Sequence, residues 1–175
     1  MTDLFGKLDQ IKSKESFFEK IKRWIPGYDG YVNRDNAREI DTLLRNKLAS
    51  MLEQNKTKIK NVNLNLSRNG KLFESQDLDK LDKKNENCIA RFKSASRGYS
   101  GAFDIVKIKE EQLNLLYNFD NTLLTEVETI NSFFDKLETD SNSGVDITAS
   151  VKIVSDALDN LIQKFDEREN LLKTV

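Results

Sequence analysis

The chain has 175 residues, with one proline, seven glycines, one cysteine and no histidine, and its 28 Lys and Arg face 29 Asp and Glu. Without histidine there is no Ser-His or Cys-His triad, no His-liganded zinc or iron and no Glu-x-x-His pair of a di-iron bundle. A lone cysteine likewise excludes an intramolecular disulfide and a thiolate cluster. Apolar residues make up 38% of the chain and charged residues 33%, and the apolar ones recur periodically, so one domain with a buried core is expected rather than disorder. No signal-peptide pattern and no apolar run of about 18 residues is present. The expected location is therefore the cytoplasm, with the inner face of a membrane as the alternative.

Residues 1–25 read as a short amphipathic helical segment, distinct from a single helical-bundle domain over 26–175. Leu4, Phe5, Leu8 and Ile11 form a first apolar stripe, and Phe17, Phe18, Ile21, Trp24 and Ile25 form a second with Lys20, Lys22 and Arg23 between them. Such a face can cap the bundle, lie in a membrane interface or dock on a partner protein. Six basic against four acidic residues in this segment make a weak attraction to lipid, which favours capping.

Pro26-Gly27-Tyr28-Asp29-Gly30-Tyr31 then introduces the first of four long helices, expected near 34–66. Its apolar positions, from Ala37 and Ile40 through Leu44, Leu48 and Leu52 to Val62 and Leu66, fall three or four apart. Asn61, Asn63 and Asn65 are weak helix formers, so fraying or a bend is expected there. Arg68-Asn69-Gly70 signals a turn. A second helix is expected over 75–97; Leu78, Leu81, Asn85, Cys88, Phe92 and Ala95 fall at heptad spacing that runs on to Tyr99, which makes Cys88 a small buried hydrophobe rather than a reactive thiol.

Arg97-Gly98-Tyr99-Ser100-Gly101-Ala102-Phe103 repeats the Gly-Tyr-x-Gly pattern before a third helix over 109–139. Asp140 to Gly144 reads as the clearest loop, and Asp146 is placed to cap a last helix over 147–173. Short connections predict an elongated antiparallel up-down four-helix bundle with consecutive helices as neighbours.

Charge is unevenly distributed. Residues 1–109 hold 23 basic against 15 acidic side chains, and residues 110–175 hold 5 against 14. Between 42 and 73, Arg45, Lys47, Lys56, Lys58, Lys60, Arg68 and Lys71 face Glu53 alone. A basic patch attracts nucleic acid or anionic lipid, but Phe73 is the one aromatic in this stretch, so nucleic acid is not expected as a partner. Neutralisation by the acidic C-terminal helices is the favoured reading.

Arg34, Arg38, Asp41 and Arg45 share a helix face after the first Gly-Tyr element, and Asp120 occupies an apolar stripe position after the second. A carboxylate there needs a partner; Arg38 or Arg34, with a tyrosine hydroxyl, is the expected one. Tyr28, Tyr31, Arg34, Arg38, Asp41, Arg45, Tyr99, Phe103 and Asp120 thus form a candidate cluster at one end of the bundle, either a structural polar network or a site for a small anionic ligand. The two elements, with Arg38, Asp41, Leu44 and Arg45 after the first and a leucine-rich helix after the second, resemble a group of uncharacterised bacterial helical proteins. The resemblance spans about 25–52 and 97–124 and implies that both elements belong to one structural unit; it implies no activity. No spacing of Tyr, Lys, Arg, Asp or Glu matches a catalytic constellation. The expected function is non-enzymatic, a protein-interaction or scaffold role with a protein partner or self-association, without catalytic residue, cofactor or metal.

Overall fold

The computed structural model describes residues 19, 21–31, 34–94 and 110–173, and of residues 34–36, 110 and 173 the backbone alone. Of the described residues, 88% are helical and none is in a strand, so the fold is the all-α bundle that the periodicity implies. Helices α1 (Arg34–Glu53) and α2 (Asn55–Arg68) form one rod, followed by a 3-10 turn (Leu72–Glu74), α3 (Ser75–Ser94), α4 (Glu110–Asn142) and α5 (Thr148–Lys173). Their stripes meet in one core, with Leu44, Leu48, Val62, Leu81, Phe92, Leu124, Phe134, Leu161 and Phe165 all buried. Residues 21–24 add a helical turn. Ile21 and Ile25 join the same core, and half-buried Trp24 packs on it with the Lys47 ammonium 6.0 Å from its ring centroid. Packing therefore continues across residue 25; Phe17 and Phe18 lie outside the described residues.

Side-chain pairs fix the direction of each rod. Between the α1–α2 rod and α4 the sequence separation holds at 76 for Asn55–Asn131, 77 for Asn61–Glu138 and 76 for Asn65–Ser141, as only parallel helices allow. Between α3 and α5 it is 75 for both Lys84–Asp159 and Arg91–Asp166, again parallel. Between α4 and α5 it shrinks from 48 at Asp120–Arg168 to 10 at Asp140–Ser150, the mark of an antiparallel hairpin. Lys93–Glu53 at 40 and Lys56–Glu86 at 30 make the first rod and α3 another.

Two hairpins thus lie side by side in the same sense. Direction alternates along the chain as expected, but the principal packing pairs join the first rod to α3 and α4, and α5 to α3 and α4. Consecutive α3 and α4 occupy opposite corners, against the expectation that each helix neighbours the next. The first rod and α4 match each other in polar groups along their length, and the basic first hairpin meets the acidic second through Lys58–Asp135 at 2.5 Å, Lys84–Asp159 at 2.7 Å and Arg91–Asp166. The basic patch is in part neutralised there, as the charge distribution implies.

The asparagines that threatened the first helix are what bind it to α4. Asn61 Nδ2 donates to Glu138 at 2.8 Å and Asn65 Nδ2 to the Ser141 hydroxyl at 3.0 Å, and the backbone remains helical through Arg68. The interruption lies earlier, at Gln54, between the two helices. There Asn131 Nδ2 donates to the Met51 carbonyl at 3.1 Å and Asn85 Nδ2 to the Leu52 carbonyl at 3.3 Å, taking up acceptors that a helix end leaves free. Asn55, buried beside them, donates to Asn131 Oδ1 at 2.8 Å.

Both hairpins turn in the same way. Gly70 N–H bonds the Ser67 carbonyl and Lys71 N–H that of Leu66; Gly144 N–H bonds Ser141 and Val145 N–H bonds Asp140. With φ of 71° at Gly70 and 70° at Gly144, each is a Schellman motif whose left-handed residue favours glycine. This geometry carries α4 on through Asn142, past the expected loop start at Asp140, because the stop is set by Gly144. Asp146 Oδ1 accepts from the Thr148 N–H at 2.8 Å and opens α5 as expected.

Leu81, Leu124 and Leu161 lie at the centre of their stripes and are buried. Truncation of each to Ala is expected to cost about 2–5 kcal/mol through lost burial and a residual cavity, read from urea denaturation midpoints. Unchanged midpoints for all three would place these stripes in solvent.

Candidate functional site

The Gly-Tyr turn before α1 sends two tyrosine side chains into the bundle. Tyr28 Oη donates to Asp120 Oδ2 at 2.9 Å and Tyr31 Oη to the same oxygen at 2.6 Å. The Tyr31 N–H donates to the Tyr117 hydroxyl at 3.0 Å, and the Tyr31 and Tyr117 rings lie 5.5 Å apart. This one turn therefore docks on α4 through both backbone and side chains.

Arg168 from α5 occupies the centre. Its Nε donates to Asp120 Oδ1 at 2.6 Å, its Nη1 to Asp41 Oδ1 at 2.7 Å and its Nη2 to the Tyr31 hydroxyl at 2.9 Å. Asp41 in turn accepts from Arg45 Nε at 2.6 Å, whose Nη2 lies 2.9 Å from Glu169. The Arg45 guanidinium also sits 4.8 Å above the Phe165 ring, which meets Phe92 of α3 edge-on at 4.7 Å. Asp41, Arg45, Asp120 and Arg168 are all buried, two charges of each sign, with Glu169 at the margin.

The two carboxylates respond differently to burial. Desolvation raises the Asp41 pKa, but Arg168 and Arg45 outweigh it and hold the group below its usual value. Asp120 is raised, because desolvation at a fully enclosed site exceeds the opposing pull of Arg168 and the two tyrosine hydroxyls. Burial and then the Asp120 charge raise both Tyr28 and Tyr31 well above 10. Arg168 resists desolvation through Asp120, Tyr31 and Asp41 and stays charged. The opposite directions of the two carboxylates follow from their partners: Asp41 faces two guanidinium groups, Arg45 and Arg168, whereas Asp120 faces that of Arg168 alone.

Of the candidate residues, Tyr28, Tyr31, Asp41, Arg45 and Asp120 come together. Arg38 does not: it is exposed in the second turn of α1, although at about 100° per residue it falls on the side of the helix that carries buried Arg45 and Ala49. The expected Asp120–Arg38 pair is corrected to Asp120–Arg168. Arg34 begins α1 with its side chain outside the described residues, as are Tyr99 and Phe103, so its proposed pairing and their convergence on this end are untouched. Arg168 escaped the sequence reading, although it fills the gap between Phe165 and Leu172 in the α5 stripe, opposite in sign to the intruding Asp120. Cys88 is buried and burial pushes its thiol up to about 12, so it packs as a hydrophobe.

Among the described residues, no group of three or more His, Cys, Asp or Glu is arranged to hold a metal, and no helix is long and apolar enough to cross a membrane. Open grooves lie elsewhere, one between α2 and α4 lined by Asn61, Leu64, Arg68 and Glu138, another between α3 and α5 beside Cys88. No protein-family model, curated protein or solved structure matches the chain.

Removing one member of the central pair leaves a buried charge alone. Asp120→Ala and Arg168→Met are each expected to cost about 3–5 kcal/mol, and the double variant should recover enough for a coupling of about 1–3 kcal/mol in chemical denaturation. Coupling near zero would mean that the contact carries no energy.

The tyrosines give a pH signature. Their folded pKa values lie above the unfolded value of 10.0, so above that pH the folded state binds more protons than the unfolded one. Their contribution is full below pH 10 and declines as pH rises, by about 1.4 kcal/mol per unit for each tyrosine. Tyr28→Phe should flatten the alkaline fall in unfolding free energy by that amount; an identical slope in the variant would show Tyr28 ionising freely in the fold.

Proposed function

We propose that the chain is a non-enzymatic helical scaffold that works through protein contact at the tip where the two hairpins turn. The observation that carries this reading is Phe73, which is 96% exposed, beside Leu72 at 61% and with Val145 of the second turn at 52%. Lys71 Nζ donates to the Gly144 carbonyl at 2.8 Å, which holds the two turns together at this end. Covering a large apolar side chain is worth about 1.5–3 kcal/mol, and large exposed apolar groups gathered at one place mark contact surfaces. At the other end, the buried ionisable groups are engaged with one another, which supports a structural role for the cluster over catalysis or capture of a small anion. Membrane anchoring by residues 1–25 is the weaker alternative, since Ile21 and Ile25 are enclosed in the core.

Photocrosslinking in the native host tests the tip. A benzoylphenylalanine at position 73 should give a discrete protein adduct, and the same probe in place of exposed Lys83 should not. Absence of any adduct specific to position 73 would overturn the reading.

A further inference from the structure

We propose that the outer edge of the second hairpin is the contact surface for a second copy of this chain. This goes beyond the scaffold reading, because the surface is separate from Phe73. On α4, Phe119, Glu126 and Phe133 recur seven apart, and on α5, Ile153, Ala157 and Lys164 fall on the face turned toward them. The Lys164–Glu126 ion pair joins the two rows, and the antiparallel register then sets Ala157 across from Phe133. Ile153 is exposed and the other five are half-buried. The corresponding edge of the first hairpin differs: it is bridged by Lys93–Glu53 and by Lys56–Glu86 at 3.0 Å, the charged finish expected of an edge that stays in water.

The edge is self-complementary in one arrangement. A two-fold axis parallel to the helices places α4 of one copy against α5 of the other, antiparallel as within the hairpin. Glu126 then faces the second copy's lysine at 164, and Phe133 faces the small side chain at 157, a bulky group against a gap. A two-fold axis crossing the helices at the height of Glu126 would instead set Glu126 against Glu126, which repulsion disfavours. In the favoured arrangement, both Phe73 tips point the same way, so the scaffold presents two contact sites at one end.

Sedimentation velocity on the full chain across micromolar concentrations, at about 0.15 M salt, tests the proposal. The expected species is a dimer. Glu126→Lys alone and Lys164→Glu alone should each raise the dimer dissociation constant by at least about tenfold, because each edge then carries a single sign. An equimolar mixture of these two variants should restore a dimer containing one copy of each. Phe133→Glu should give a monomer, with circular dichroism confirming that it folds. A monomeric parent chain, or a parent dimer indifferent to both charge variants, would overturn the proposal. Neither result touches the scaffold reading, which is decided by the crosslink at position 73.

Discussion

Arg168 is a buried guanidinium held between two buried carboxylates from different helices, and the closed end of this bundle is organised around that contact. A charge in such a place has a heavy desolvation cost unless its partners are present in the right geometry. Asp41 of α1, Asp120 of α4 and the Tyr31 hydroxyl meet that demand together. A slip of any of these helices by one residue would strand a charge in the core. Aliphatic packing alone tolerates such slips more easily, so the geometry of the cluster favours a single register, and its energetic weight lies in what its disruption costs.

A second polar layer does related work at mid-bundle. Asn55, Asn85 and Asn131 gather at the interruption at Gln54, where two of them supply donors to the terminal carbonyls of α1. Neutral amides need less exact compensation than charges, and they can satisfy backbone as well as side chains. Together with the Asn61 and Asn65 bonds to α4, they account for two parallel rods lying in contact, an arrangement that helix dipoles disfavour. Opposite net charge on the two hairpins acts in the same direction over longer range.

These constraints divide the molecule by role. Where Tyr28 and Tyr31 enter, polar groups are enclosed and mutually engaged, leaving a rigid base. Where the Schellman turns close the hairpins, Leu72, Phe73 and Val145 remain in water. The proposed scaffold role would draw on this combination, since a tip carried on helices locked in register at their far end costs a partner less free energy in ordering the surface it meets. Half-buried apolar residues on one hairpin edge, against charged rungs on the other, extend the same division sideways.

Much of this was legible in the amino-acid sequence. Helix class and approximate spans follow from apolar spacing, because a period near 3.6 is a local property of the chain. The left-handed turn at Gly70, the cap at Asp146 and the burial of Cys88 follow from equally local chemistry. Asp120 announced itself as a charge in an apolar stripe, and the tyrosine hydroxyls were foreseen among its partners. Which cation would answer it was not legible: Arg38 shares the side of α1 that carries buried Arg45 and Ala49, yet it stands in water, while Arg168 reaches Asp120 from α5. The corner taken by α4 was equally hidden, since it depends on Asn61, Asn65 and Lys58 finding acceptors 73 to 77 residues away. Periodicity states which face of a helix is buried; only the assembled structure decides which other helix buries it, because that choice is made by pairs of side chains distant in sequence.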